Sequence, residues 1–247
     1  MSNLIYIMGK SSSGKDTVYQ KIKEKINTNV YVLYTTRPKR DGEEDGKEYN
    51  FISRNEFNKL KEEGKVIEAR HYGVVNEEGE NDIWTYATID DEQWNKEGDF
   101  LTIGTLESYS SIKEYLENHP ERNLKLLPVY IYIDEEERIK RATIREEQKQ
   151  KPNFDEMKRR IKADNYDFSD KKRKEVGINE NNSFENNDLE FCVSQILNYI
   201  KVNTLDDGYK IEKLIMKPTQ YNSEKREEIK KNEKEIIKGK SIDGDER

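Results

Sequence analysis

The sequence predicts an α/β fold in three layers, a parallel sheet with helices on both faces. Two observations predict it. Short apolar runs recur along the 247 residues, each near-continuous rather than alternating, as strands buried on both faces require. Between them lie stretches with helical spacing of their apolar positions, so strands and helices alternate. The strands expected are Leu4–Met8, Val30–Tyr34, Phe100–Ile103, Val129–Ile133 and Val176–Ile178. The helices expected are Lys15–Ile26, Ser108–Glu117, Glu135–Lys149, Asp155–Asp167 and Asp188–Val202.

The rhythm changes between Thr35 and Ile89. The segments "EYNFI", "KVIEARHY" and "IWTYATI" predict short antiparallel strands inserted after the second core strand, with "GVVNEEGEND" a polar loop. Pro152 separates two charged helical segments and predicts a helical hairpin. From about Asn203 onward the chain has few apolar residues, and it reads as a charged extension, partly helical or disordered, outside the core.

Composition narrows the function classes. Hydrophobic residues make up 32% and charged residues 38%, a polar balance for this length, yet enough for one or two domains with a core. The net charge of −7 argues against a broad nucleic-acid or anionic-membrane surface, so an anionic ligand needs a local cluster of Arg and Lys. One cysteine, Cys192, excludes an internal disulfide and fits a cytoplasmic protein. No run approaches the roughly 18 apolar residues of a membrane span, and the N-terminus has no signal-peptide core. His71 and His119 have no metal-ligand spacing, so no zinc site is expected.

The first strand runs into "MGKSSSGKDTV", Met8 to Val18. Gly9, Gly14 and Lys15 have the spacing of the phosphate-binding pattern G-x-x-x-x-G-K-[ST], in the strand–loop–helix context it needs. The glycines let backbone N–H groups turn toward a phosphate, and the helix N-terminus adds a favourable dipole. The pattern wants a hydroxyl next, and Asp16 stands there instead. Aspartate is a hard oxygen ligand, so Asp16 is a tentative Mg²⁺ contact, direct or through water. Alternatively Thr17 supplies the hydroxyl and Asp16 only begins the helix.

The next dense stretch is "YTTRPKRDGEEDGKEYNFIS", Tyr34 to Ser53. Alone, its two arginines would read as a solvated basic turn offset by "DGEED". With the upstream loop it resembles the guanylate kinase family, which carries T-T-R-x-x-R-x-G-E followed by G-x-x-Y-x-F. Thr35, Thr36, Arg37, Arg40, Gly42, Glu43, Gly46, Tyr49 and Phe51 match in order. The resemblance runs from about Ile5 to Ile200.

That resemblance implies a P-loop NTPase core at residues 1–34 and 91–202, an inserted GMP-binding domain at 35–90 and a lid near 135–167, and the extension at 203–247 lies outside it. It implies an ATP-binding loop of Gly9, Ser11, Ser12, Ser13, Gly14, Lys15, Asp16 and Thr17. It implies a GMP site of Arg37, Arg40, Glu43, Tyr49, Glu68, Tyr86 and Thr88. Guanidinium forks suit a phosphate dianion, and Glu68 stands where one carboxylate accepts both N1–H and the 2-amino group of guanine. "YAT" matches the family's Y-G-[ST], with Tyr86 near the phosphate and Thr88 near guanine O6.

In the hairpin, Arg138, Arg141 and Arg145 fall on one helix face and Arg159 and Arg160 on the second helix. The family's lid arginines match Arg141, Arg145 and Arg160, which with Lys15 and Arg37 are the catalytic candidates. Asp134 is placed to cap the first of these helices. The expected reaction is ATP + GMP giving ADP + GDP, with Mg²⁺ as cofactor and the two nucleotides as partners.

Three departures stand out. Leu33 and Tyr34 lie where the family often has a base-binding serine. "FLTIGTLES" lacks the aspartate pair that usually ends the third core strand, Glu107 being the nearest carboxylate, and Asp16 is the third departure. They keep two rivals in view, a kinase for another (deoxy)nucleoside monophosphate and a non-catalytic binding module of the same fold. Retention of Lys15, Arg141 and Arg145 argues against the second.

Overall fold

The computed structural model describes residues 2–75 and 80–204. Nine strands are described: β1 (Ser2–Met8), β2 (Asn29–Val30), β3 (Tyr34–Thr35), β4 (Asn50–Phe51), β5 (Val66–Val75), β6 (Asn81–Ile89), β7 (Phe100–Gly104), β8 (Leu124–Tyr132) and β9 (Ser183–Glu185). The α-helices among the described residues are α1 (Lys15–Lys25), α2 (Arg54–Glu62), α3 (Leu106–Asn118), α4 (Glu135–Glu147), α5 (Phe154–Asp167), α6 (Asp170–Glu175) and α7 (Leu189–Thr204).

The core sheet has the order β2-β7-β1-β8-β9, and every pairing in it is parallel. The central strand β1 shows why its sequence is apolar throughout. Leu4, Tyr6 and Met8 face one helical layer, where Leu106, Tyr109 and Ile112 of α3 cover them. Ile5 and Ile7 face the other, under Val18 and Ile22 of α1 and Val193 and Ile196 of α7. Burying each such side chain contributes about 1.5–3 kcal/mol, and a polar replacement at Ile5 or Ile7 would have no partner in either layer.

Several expectations are corrected. Val176–Ile178 is not a strand. It ends α6, with Gly177 at φ 89° and the Gly177 and Ile178 N–H groups donating to Lys174 O and Arg173 O. That closing motif wants an apolar residue just past the glycine, and Ile178 is buried against the core. The fifth core strand is β9 instead. The run Val30–Tyr34 splits into β2 and β3, which belong to different sheets. β4 pairs with β3 in parallel, so the inserted sheet, of order β4-β3-β6-β5, is mixed rather than wholly antiparallel. β5 and β6 also run further than expected, taking Gly73–Val75 and Asn81–Asp82 from the predicted loop.

The centre of that loop, 76–79, lies outside the described residues, as does the predicted extension from residue 205 onward. Helix α2 was not anticipated, although Ser53 and Glu56 form a reciprocal capping box at its start. β8 begins five residues before the predicted strand. Pro128 breaks its apolar run, but β9 pairs only with Tyr130–Tyr132, so the proline N faces no strand on that side. No helix among the described residues is long and apolar enough to cross a membrane.

Candidate functional site

The C-terminal ends of β1, β7, β8 and β9 open onto one edge of the parallel sheet, the usual location of ligand sites in such sheets. Gly9–Gly14 leaves β1 there and enters α1. Both glycines are required by close approach. A Cβ at Gly9 would lie 2.4 Å from the Ile131 carbonyl oxygen, and one at Gly14, where φ is 82°, would lie 2.2 Å from Asn186 Nδ2. The hydroxyls of Ser12 and Ser13 are buried with no hydrogen-bond partner among the described residues. Leaving a buried polar group unsatisfied costs about 1–3 kcal/mol, and an anionic oxygen at the loop would satisfy both. Ser12 is also held at φ 65°, an uncommon conformation for a residue with a side chain.

Lys15 is the first residue of α1, with its amine 3.5 Å from the Asp16 carboxylate. Asp16 is 78% exposed and Thr17 is exposed, so both are open to a ligand or to solvent. Among the described residues no three His, Cys, Asp or Glu side chains gather to hold a metal. Asp16 alone fits Mg²⁺, which takes one or two protein carboxylates and fills its remaining positions with phosphate oxygens and water.

Two residues outside the expected site complete the loop. Asn186, just past β9, donates from Nδ2 to Ser13 O at 2.8 Å and is buried. Arg138 on α4 is 1% exposed and touches the loop at Ser11. Nothing local in the sequence marks Asn186. Arg138 was marked by its helix face alone, and its burial follows only from the packing of α4 against α5.

Of the hairpin arginines, the structure brings Arg141 to the loop. Its guanidinium donates to Glu137 Oε1 at 3.0 Å and to Asn186 O at 3.4 Å. Arg145 is exposed, with no hydrogen bond or ion pair to another described residue. Arg160 is 53% exposed and paired with Glu156, whose carboxyl is lowered to about 2 by Arg159 first and Arg160 next. Asp134 caps α4 as expected, accepting from the Glu136 and Glu137 N–H groups.

The inserted sheet carries a second cluster. Arg37 is buried and forms a two-pronged bond to Glu43, Nη1 to Oε2 and Nη2 to Oε1, both at 2.8 Å. Its Nε is buried without a hydrogen-bond partner among the described residues, and its guanidinium lies 5.3 Å from the ring centres of Tyr49 and Phe51. Tyr86 packs edge-on against Tyr49 at 5.5 Å. Arg40 is exposed, and its guanidinium has no partner among the described residues. Glu43 therefore positions Arg37, and Arg40 is the guanidinium left open to an anion.

Glu68 on β5 is buried. Its Oε1 accepts from the Thr88 hydroxyl at 2.9 Å and its Oε2 from Arg70 Nε at 3.2 Å. Arg70 also reaches the core at Thr105 Oγ1, 3.3 Å away at the start of α3. Arg70 is a contact of the carboxylate that the sequence did not signal. Leu33 is buried in the core. At the end of β7, where the sequence lacks the aspartate pair, the last residue is Gly104. A Cβ on Gly104 would lie 1.9 Å from Tyr6 Oη, which is buried and bonded to Ser108 Oγ at 2.7 Å, so no side chain fits there.

Comparison with known proteins bears on this arrangement. Residues 1–78 match the profile of the guanylate kinase family. The chain is similar to the guanylate kinase of Thermotoga maritima, 43% identical over 72 residues covering 28% of this chain and 35% of that protein. It is similar to that of Lactococcus lactis, 40% identical over 89 residues covering 36% and 43%. The chain thus spans well under half the length of the curated relatives it matches. The crystal structure of guanylate kinase from Anaplasma phagocytophilum superposes with a TM-score of 0.53 over 83% of this chain and 88% of that one, at 20% identity, a likeness of fold.

Proposed function

We propose that this chain, whose first 78 residues match the guanylate kinase family, is a nucleoside monophosphate kinase of that type. It transfers the terminal phosphoryl group of ATP to GMP, giving ADP and GDP. The observation that carries the proposal is the loop at Gly9–Gly14. Its two glycines exclude side chains, its two serine hydroxyls are buried without partners among the described residues, and Lys15 and Arg141 stand beside it.

On this reading an oxygen of the acceptor phosphate attacks the γ-phosphorus of ATP, and the bond to the β–γ bridging oxygen breaks to release ADP. No covalent enzyme intermediate is needed; positioning and charge stabilisation suffice. Lys15 and the loop amides bind the donor phosphates. Arg40 and Tyr49 bind the acceptor phosphate, with Arg37 held ready by Glu43. Arg141 already lies at the loop, and Arg145 and Arg160 join it when the hairpin closes as a lid over the transferring group. Asp16 would hold a Mg²⁺ ion, which would supply further positive charge beside the phosphates. Glu68 accepts from N1–H and the 2-amino group of guanine, and Thr88 donates to O6.

A second reading, transfer to a different nucleoside monophosphate, is favoured by one observation. Arg70 places a donor on Glu68 Oε2, beside the position where the guanine 2-amino group needs an acceptor. A coupled ADP-release assay across GMP, dGMP, AMP, CMP, UMP and dTMP tests both. GMP as the best substrate supports the first reading, another monophosphate supports the second, and no transfer to any overturns the kinase assignment.

A further inference from the structure

We propose that Arg138 is a positioning residue that bolts the phosphate loop to both helices of the hairpin and so sets the loop for the donor nucleotide. The proposal rests on that nucleotide binding at Gly9–Gly14. A guanidinium has five N–H donors in a fixed fork, and Arg138 uses all five. Nε and Nη2 grip Glu135, at 2.9 and 2.6 Å. Nη2 also donates to Asn165 Oδ1 at 3.0 Å. Nη1 is shared at 3.3 Å between the carbonyl oxygen of Ser11 and Asp164 Oδ2. An arginine 1% exposed with every donor engaged allows few alternative arrangements.

The loop end of this cluster is the informative part. Asp164 Oδ2 also accepts the Ser11 N–H at 2.8 Å. Both backbone groups of Ser11 are therefore fixed, one by Arg138 and one by Asp164. One residue earlier, the Lys10 amine donates to Asn165 Oδ1 at 2.7 Å. In a trans peptide the carbonyl and the next N–H point in opposite directions, and the structure has no cis peptide among the described residues. With the Ser11 carbonyl drawn toward Arg138, the Ser12 N–H must point away from the hairpin. The same constraint keeps Ser12 at φ 65°, which is costly for a serine and persists only when its surroundings over-determine it. Arg138 and Asp164 supply that over-determination from the first turn of α4 and the last turn of α5.

The partners are thus the two roots of the hairpin, and the tip near Pro152 lies at the far end of both helices. A pivot of the hairpin about its roots is transmitted to Ser11 directly. This ties the hairpin to the donor site and leaves the inserted sheet, with Arg40 and Glu68, outside the connection.

Calorimetric titration of the full chain with a non-hydrolysable ATP analogue and, separately, with GMP tests this. Arg138→Ala and Asp164→Ala should each weaken the ATP analogue tenfold or more and change GMP affinity by less than twofold. Arg138→Lys should fail to restore the loss, because an ammonium cannot span Glu135, Asp164 and the Ser11 carbonyl together. Equal weakening of both nucleotides would assign Arg138 a general structural role and overturn the proposal. Full rescue by lysine, or no loss in either alanine variant, would overturn it as well. If Arg138→Ala does not fold, Asp164→Ala is read by the same criteria. A wild-type protein that binds no ATP analogue sinks the donor-site reading itself, an outcome visible before any variant is made.

Discussion

Glu43 holds the Arg37 guanidinium in a two-pronged grip, 2.8 Å at each end, against the faces of Tyr49 and Phe51. The arginine lowers the carboxyl of Glu43 from its ordinary 4.5 to about 2, with the Arg40 N–H adding to the effect. A carboxyl depressed on folding stabilises the protein above its unfolded value and loses that contribution as pH falls toward the folded one. Glu43→Gln should therefore lower stability by about 1–3 kcal/mol at pH 7, and the gap to wild type should shrink between about pH 4.5 and 2. Urea midpoints at pH 7, 5 and 3 measure it; a gap that does not change with pH would mean that the ion pair contributes nothing.

Arg37 and Arg40 should separate by stability. Arg40→Ala removes an exposed guanidinium without a partner among the described residues, so the melting temperature should hold while monophosphate affinity falls by about 1.5–3 kcal/mol. Arg37→Ala should lower both, because it leaves Glu43 unpaired. ATP affinity should hold in each. Arg40→Ala leaving GMP binding intact would remove this residue from the acceptor site.

Lys15→Ala should cut turnover by about 10²-fold or more with little change in melting temperature. Among the described residues its amine meets only the Asp16 carboxylate, at 3.5 Å, so folding owes it little. Near-normal turnover in this variant would contradict the assigned loop chemistry.

Asp16→Ser should fold as well as wild type, since the aspartate is largely exposed. It should also shift the Mg²⁺ and Mn²⁺ concentration dependence of turnover. An unchanged metal profile would leave Asp16 as a helix-start residue only.

Base selection should depend on Glu68. A site built on polar contacts rejects an analogue lacking them by roughly 10⁴-fold, so kcat/KM for GMP should exceed that for AMP on this scale. Glu68→Gln should narrow the ratio, because the amide offers one acceptor and one donor in place of two acceptors. Arg70→Ala frees Glu68 Oε2 and should change the ranking of the monophosphates. A wild type that prefers a pyrimidine nucleotide would favour the second reading above.

The parts of the fold visible in the sequence were those with local causes. The buried strands β1 and β7 show as unbroken apolar runs, and the glycine loop has its spacing. Helix α2 carries an equally local signal, the Ser53–Glu56 capping box at its start. β9 was not legible, because three residues with one buried aromatic, Phe184, carry no period. Val176–Ile178 misled because a helix-closing glycine flanked by apolar residues resembles a short strand. At the site, residue types were readable and partners were not. Nothing in "TTRPKRDGE" says that Arg37 is occupied by Glu43 while Arg40 is free, and nothing near Glu68 says that Arg70 turns back onto it.

The two passages between the sheets lie side by side. Tyr34 is paired with Ala87 in the inserted sheet, and the Tyr31 hydroxyl bonds both the carbonyl and the N–H of Ile89, at 2.6 and 2.9 Å. Chain leaving the core is thus stitched to chain returning to it. The entropy of closing a long loop grows only logarithmically with its length, and here the closure is made at the gate itself. Beyond the gate the inserted sheet meets the core again, through Arg70 at Thr105 and through Tyr49 and Ile67 packed on the core cluster. Replacing this insertion by a tight turn would therefore keep the closure at the gate but uncover the core surface at Thr105 that Arg70 now reaches.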